Sequence, residues 1–454
     1  MNQSLQEWYE QNQQRVFDLM HDIWAHPELG LDTHYAAKAA GEFAQKEHFQ
    51  VSLHAAEDFQ NPEAEPNTVI AVWGSGKPVI GIVGELDALP NLGESGVPYH
   101  DPVPGPGHGC GHNLMAGGAM AAACALRYAM EQEGLKGTVK LVEAPAEEIG
   151  RGKCLLAEAG VFEDLDMALM WHPGPDRLLF DPKPGMVAFS ASFEFIGISA
   201  HAAGWPFKGR SALDAVQLMN MGCEFLREHT PRHVLIHYCI TNGGTAPNIV
   251  PAKASSKYMF RADKDFDACN DAFQRAVRIA QGTAMMTDTE MTYELESVVP
   301  DFYVNLPLCG YAYEAAQKVP PLEYEEEDYE NARALFKAMR PGEEVPTDKE
   351  VLIPTTLIPF SGHEAARCST TDAADMSYYC PTIHIQGLGK VAGFAGHHWT
   401  TTYCSSNGIG MKAGLYGYKI LAQTGYDALT NPEIVEKCWD AYRAQNIPEH
   451  PHLI

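Results

Sequence analysis

Positive charge is scarce in this sequence: Lys and Arg total 32 against 59 Asp and Glu, a formal net charge of −27. A field of that sign repels phosphate backbones and anionic membrane surfaces, so neither nucleic acid nor membrane is an expected partner. No apolar run is long enough to span a bilayer, and the polar start Met1-Asn-Gln-Ser-Leu-Gln-Glu-Trp lacks the basic and apolar regions of a secretory signal. The 11 cysteines are odd in number and scattered. Without the spacing of a disulfide scaffold they read as reduced thiols, and a cytoplasmic location is expected. Also missing are a Gly-x-Ser-x-Gly elbow, the His-x-Glu with Pro-Cys-x-x-Cys pattern of zinc deaminases, and a dinucleotide fingerprint. Serine-hydrolase and deaminase chemistry fall away with them.

What is present centres on Pro104-Gly105-Pro106-Gly107-His108-Gly109-Cys110-Gly111-His112-Asn113. Its glycines permit positive φ and close approach to a ligand. Cys110 and His112, at i and i+2, can aim soft S and N donors at one transition metal, which makes half a site. Further candidates stand at the ends of apolar runs. Thr138 to Ala144 reads as a buried strand leading to Pro145-Ala146-Glu147-Glu148, Met167 to Trp171 as another leading to His172, and Val79 to Val83 as a third leading to Glu85 and Asp87. In open α/β sheets the carboxyl edge of the strands is where ligands bind. His397 and His398 occupy one more loop between a strand (382–386) and a helix (407–421).

At 454 residues the chain exceeds one core, so more than one domain is expected. Helical spacing at 5–24, 35–47 and 114–130, alternating with strands, predicts an α/β domain with a mostly parallel sheet covered by helices. Residues 187–297 read as β-α-β-β-α-β, a ferredoxin-like α+β insert serving as lid or dimerisation domain. The catalytic domain is then expected over 1–186 and 298–454. The run Glu323 to Glu330 reads as the solvated start of a helix, residues 341–362 as a surface insertion, and Cys124, Cys154 and Cys223 as core.

These motifs, together with His26-Pro27-Glu28-Leu29-Gly30, Glu85-Leu86-Asp87-Ala88-Leu89-Pro90, Ser199-Ala200-His201-Ala202-Ala203 and Gly243-Gly244-Thr245-Ala246-Pro247-Asn248, occur in a fixed order along nearly the whole chain. In that order they resemble the M20 metallopeptidase and amidohydrolase family, in the branch that uses a cysteine ligand and includes p-aminobenzoyl-glutamate hydrolase subunits and dipeptidase-like proteins.

The resemblance implies two divalent ions per subunit, Zn²⁺ or Mn²⁺. Cys110 would bridge them, with His112 and His172 on one ion and Glu148 and His397 on the other. It implies Glu147 as general base and Asp87 as the group orienting a ligand imidazole. Glu85 stands where the wider family has histidine and is not counted as a ligand. His201 matches a lid histidine that reaches the partner subunit's site, Asn248 a substrate contact, and Arg261 the arginine that holds a substrate carboxylate. The implied substrate is a small amide or dipeptide with a free carboxylate, and the implied assembly a homodimer through the lid, with a heteromer as the other possibility. The competing reading is a largely non-catalytic subunit supporting an active homologue.

Overall fold

The computed structural model describes residues 1–182, 184–365, 369–394 and 396–451. They divide into two compact units, one holding residues 1–184, 303–366 and 375–450, the other built on Gly185–Phe302. The strands, in chain order, are β1 (Gln50–His54), β2 (Thr68–Ser75), β3 (Val79–Glu85), β4 (Gly137–Ala144), β5 (Met167–Gly174), β6 (Val187–Ile196), β7 (Leu235–Asn242), β8 (Lys253–Ala262), β9 (Glu290–Val299) and β10 (Thr382–Gly389).

The first unit carries a six-stranded sheet in the order β1-β2-β4-β3-β5-β10. β4, β3, β5 and β10 pair in parallel, and β2 alone runs against the rest. Every residue of β3 and β4 is buried, as continuous apolar runs require when helices cover a parallel sheet. β1 has no fully buried residue, so its sequence carries little strand signal and its pairing with β2 defines it. The Ala- and Met-rich helix His112–Glu133 packs on β3 and β4 and is covered in turn by the helices Gln3–Ala25 and Gly408–Thr430. The parallel arrangement delivers the carboxyl ends of β3, β4, β5 and β10 to one edge of the sheet.

Residues 341–362 differ from a plain surface insertion. The short helix Lys349–Leu352 within them buries Leu352 and Ile353 among Tyr329, Phe336 and Trp399. The acidic run does open a helix, Glu326–Met339, through a capping box between Glu325 and Asp328. Asp328 is nonetheless buried, because Lys412 Nζ reaches it at 2.6 Å.

In the second unit β6 to β9 form an antiparallel sheet in the order β7-β8-β6-β9, with the helices Ala212–Arg227 and Phe266–Thr287 packed on it. This is the ferredoxin-like order. Its core gathers Phe189, Phe193 and Phe195 with Phe260 and Phe273. A late segment also belongs to it: Met186 N donates to Ser369 O at 2.6 Å and Thr370 Oγ1 to Met186 O at 3.3 Å. No helix among the described residues is long and apolar enough to cross a membrane.

Candidate metal centre

The loops after β3, β4, β5 and β10 meet in the first unit. Gly111 is the N-cap of helix His112–Glu133 at φ +96°, and a Cβ there would stand 2.8 Å from Pro173 Cγ. Only glycine fits, and it turns Cys110 and His112 toward the same space. Ala146 adopts φ +57° just before Glu147 and Glu148, with its N–H donating to Gly30 O. His397 is also left-handed, at φ +55°, and its N–H donates to Gly109 O at 3.0 Å, tying its loop to the Cys110 loop. Non-glycine residues held in this region cost about 1–2 kcal/mol each and persist only where surrounding contacts hold them.

Two donor triplets share the thiol. Cys110, His112 and His172 form one and Cys110, Glu148 and His397 the other, with one donor atom per residue and all three within 4.8 Å of one another in each. Cys110 Sγ lies 3.2 Å from His172 Nε2, and Glu148 Oε2 lies 3.4 Å from His397 Nε2. The far nitrogens are occupied: His172 Nδ1 donates to Pro173 O at 2.9 Å, and His112 Nδ1 lies 2.9 Å from Asp87 O and 3.1 Å from its Oδ1. Both rings therefore turn Nε2 inward, as ligand imidazoles do. Asp87 Oδ2 also accepts from Glu148 N at 3.0 Å, so one carboxylate positions a residue of each triplet. Buried Glu148 Oε1 has no hydrogen-bond partner among the described residues, and neither has His112 Nε2, which faces Glu85 Oε2 at 3.1 Å as an ion pair without hydrogen-bond geometry. Such orphans are costly unless a ligand satisfies them. One thiol, three imidazoles and a carboxylate suit a borderline-soft divalent cation, so the residues fit one.

Electrostatics oppose one another across the centre. Burial pushes the Cys110 thiol up to about 11 and the Glu148 carboxyl up to about 7, the latter against the pull of His112. Burial also drives His172 well below the usual imidazole range, with His384 adding to the effect. His112 goes the other way. Burial would lower it, yet Glu85, Cys110 and Asp87 together hold it well above. A bound cation inverts this logic, because it favours the thiolate and the neutral imidazoles.

Glu147 borders the same space, with Oε2 at 3.9 Å from His112 Nε2 and a side chain 11% exposed. It joins a further triplet with His112 and Glu85 and neither triplet with Cys110. Of the adjacent histidines, His397 faces Glu148, whereas His398 caps the helix Trp399–Ser405 through Thr400 N. The other three expected residues lie in the second unit. His201 is exposed, its Nδ1 accepting from Ala203 N and Gly204 N at 3.2 and 3.0 Å. Asn248 is exposed, and its carbonyl accepts from Ala202 N. Arg261 is half-buried on β8, its Nε 3.1 Å from Met259 Sδ, and makes no ion pair among the described residues.

Sequence reasoning passed over one pair. Glu85 Oε2 lies 3.1 Å from His112 Nε2, while its Oε1 accepts from Lys153 Nζ at 2.6 Å, and Glu85 and Lys153 are both fully buried. The signal was faint: one lysine in the seven-residue helix Gly152–Glu158 reads as solvent-facing.

Comparison with known proteins gives the family. The profile of peptidase family M20/M25/M40 matches residues 81–452. The chain is 32% identical over 451 residues to one of the component chains of the p-aminobenzoyl-glutamate hydrolase of Escherichia coli strain K12, covering 94% of this chain and 92% of that one. It is 32% identical over 334 residues to the Xaa-Arg dipeptidase of Mus musculus, covering 69% and 70%. The crystal structure of a dinuclear metal-binding peptidase of the M20 family, from Bacillus subtilis, superposes with a TM-score of 0.59 at 18% identity over 93% of this chain and 99% of that one, a likeness of fold. With the profile spanning most of the sequence and a relative matched almost end to end, the chain belongs to peptidase family M20/M25/M40.

Proposed function

We propose that this protein is a metal-dependent amidohydrolase that cleaves the amide between an acyl or aminoacyl group and an amino acid with a free carboxylate. p-Aminobenzoyl-glutamate and dipeptides are the substrate classes to which its relatives' names point. The observation that carries the reading is the pair of donor triplets sharing Cys110. Cys110, His112 and His172 would hold one divalent ion and Cys110, Glu148 and His397 a second, either Zn²⁺ or Mn²⁺. Bound there, the ions would acidify a water and polarise the scissile carbonyl.

The chain's own groups do the rest. Glu147 takes the proton of the attacking water and passes it to the departing amine. Glu148, held by Asp87 at its backbone N–H, serves as ligand, so the two adjacent carboxylates divide the work. His201 offers a donor to the tetrahedral oxyanion. Arg261 presents a planar fork to the substrate carboxylate, which its lack of an ion pair among the described residues supports, and Asn248 adds a polar contact.

The second unit, over 187–297, is the proposed lid and homodimerisation domain. Leu218, Met221 and Phe225 on helix Ala212–Arg227 and Leu235 and Ile240 on the edge strand β7 are exposed apolar side chains that a partner copy would cover. Free cysteines fit a cytoplasmic protein.

Stripping metal from the purified protein and restoring Mn²⁺ or Zn²⁺ should abolish and then recover hydrolysis across a panel of p-aminobenzoyl-glutamate, dipeptides and N-acyl amino acids. Activity indifferent to metal rejects the reading. The name of one relative, as a component of a larger hydrolase, favours a second reading, a supporting chain in a heteromer. Metal binding without hydrolysis until a homologous chain is added selects that alternative.

A further inference from the structure

A second cysteine-centred cluster lies in the first unit, built from residues the proposed hydrolysis does not use. Cys154, Asp375 and His450 each place one donor atom within 4.8 Å of the others, and all three residues are buried. His450 Nε2 lies 2.7 Å from Asp375 Oδ1. Asp375 Oδ2 is buried with no hydrogen-bond partner among the described residues. An ionisable oxygen left in that state calls for a ligand. Thiol, imidazole and carboxylate together are a zinc-class donor set.

We infer that Cys154, Asp375 and His450 bind one zinc-class ion at a site separate from the Cys110 centre. Tetrahedral ligands on zinc stand about 3.3–3.8 Å apart, given bonds of about 2.0–2.3 Å. Binding therefore needs the 2.7 Å His450–Asp375 contact to open by about 0.6–1.1 Å, which exchanges one hydrogen bond for two metal bonds. Water takes the fourth position. The ion fastens His450, which stands beyond the last helix Pro432–Ala444, to the helix Gly152–Glu158 and to Asp375. Tyr378 and Tyr379 already pack against the His450 ring with centroids at 5.2 and 5.7 Å. Lys153, beside Cys154, is the residue that holds Glu85 against His112. Fastening that helix thus steadies a wall of the first centre without adding a ligand to it.

The test counts metal in full-length protein loaded with Zn²⁺ and freed of excess. Cys154→Ser and His450→Asn should each lose one zinc per chain relative to the native protein and lower its melting temperature, while Cys110→Ala should keep the ion that they lose. In Cys110→Ala loaded with Co²⁺, a thiolate-to-cobalt charge-transfer band should persist, and adding Cys154→Ser should remove it. Unchanged zinc content in soluble Cys154→Ser and His450→Asn overturns the inference, as does a Cys110→Ala protein without the band. The two centres fail separately, because loss at Cys110 alone bears only on the proposed hydrolysis and loss at Cys154 alone only on this site.

Discussion

The two units treat their polar residues in opposite ways. In the first, His112, Asp87, Glu85 and Lys153 are buried and paired with one another, and backbone hydrogen bonds hold Glu148 to Asp87 and tie the His397 loop to the Cys110 loop. In the second, the core is aromatic and aliphatic with a few buried neutral polar groups such as Asn220 and Ser256, while His201 and Asn248 are exposed and Arg261 makes no ion pair among the described residues. A preorganised buried polar cluster is a costly arrangement, and a bound cation would offset that cost. A stable scaffold that displays polar groups on its surface can instead give them work only through a ligand or another chain. On the proposed function, metal binding and proton transfer fall to the first unit, while the second supplies substrate recognition and the oxyanion donor His201.

The sharpest break in this contrast is Glu147→Gln. It should lower kcat by about 10²–10⁴-fold with metal content unchanged, as removal of a general base does; steady-state kinetics beside metal analysis checks it. Next, Lys153→Met strands the buried Glu85 carboxylate and should cost about 3–5 kcal/mol of stability, read by urea unfolding. Asp87→Asn should weaken metal binding by about 10–100-fold, because it loosens the ring of His112 and the backbone of Glu148 together; competition with a chelating dye measures it. The second unit should answer in another parameter. Arg261→Ala should raise KM about tenfold or more for substrates with a free carboxylate while leaving metal content intact, the loss of a charged hydrogen bond being about 1.5–3 kcal/mol. If Arg261→Ala stripped metal, or Asp87→Asn changed KM alone, the division between the units would fail.

Much of this arrangement is legible in the sequence. Central parallel strands are predominantly apolar, so β3, β4, β5 and β10 stand out despite buried polar residues such as Lys140, Glu143 and His384, and the polar residues that follow them are conspicuous at their ends. The period-2 alternation of β6 and β8 likewise marks the antiparallel unit. Features fixed by tertiary contact are illegible. β1 is an exposed edge whose partner makes it a strand, and Leu352 and Ile353 belong to a short apolar run between charged and Pro-rich residues, buried where they pack with Phe336 and Trp399. The Glu85–Lys153 pair spans 68 residues of sequence and has no local signature. Cys154 reads as an ordinary core thiol for the same reason, since Asp375 and His450 come to it from far along the chain.

The most direct test is crystallographic. Protein loaded with Zn²⁺ or Mn²⁺ and measured at the metal's absorption edge should give two anomalous peaks flanking Cys110 Sγ, one against His112 and His172 and the other against Glu148 and His397. Peaks elsewhere only, or density showing those side chains turned away from Cys110, would contradict the proposal that they grip a shared pair of ions.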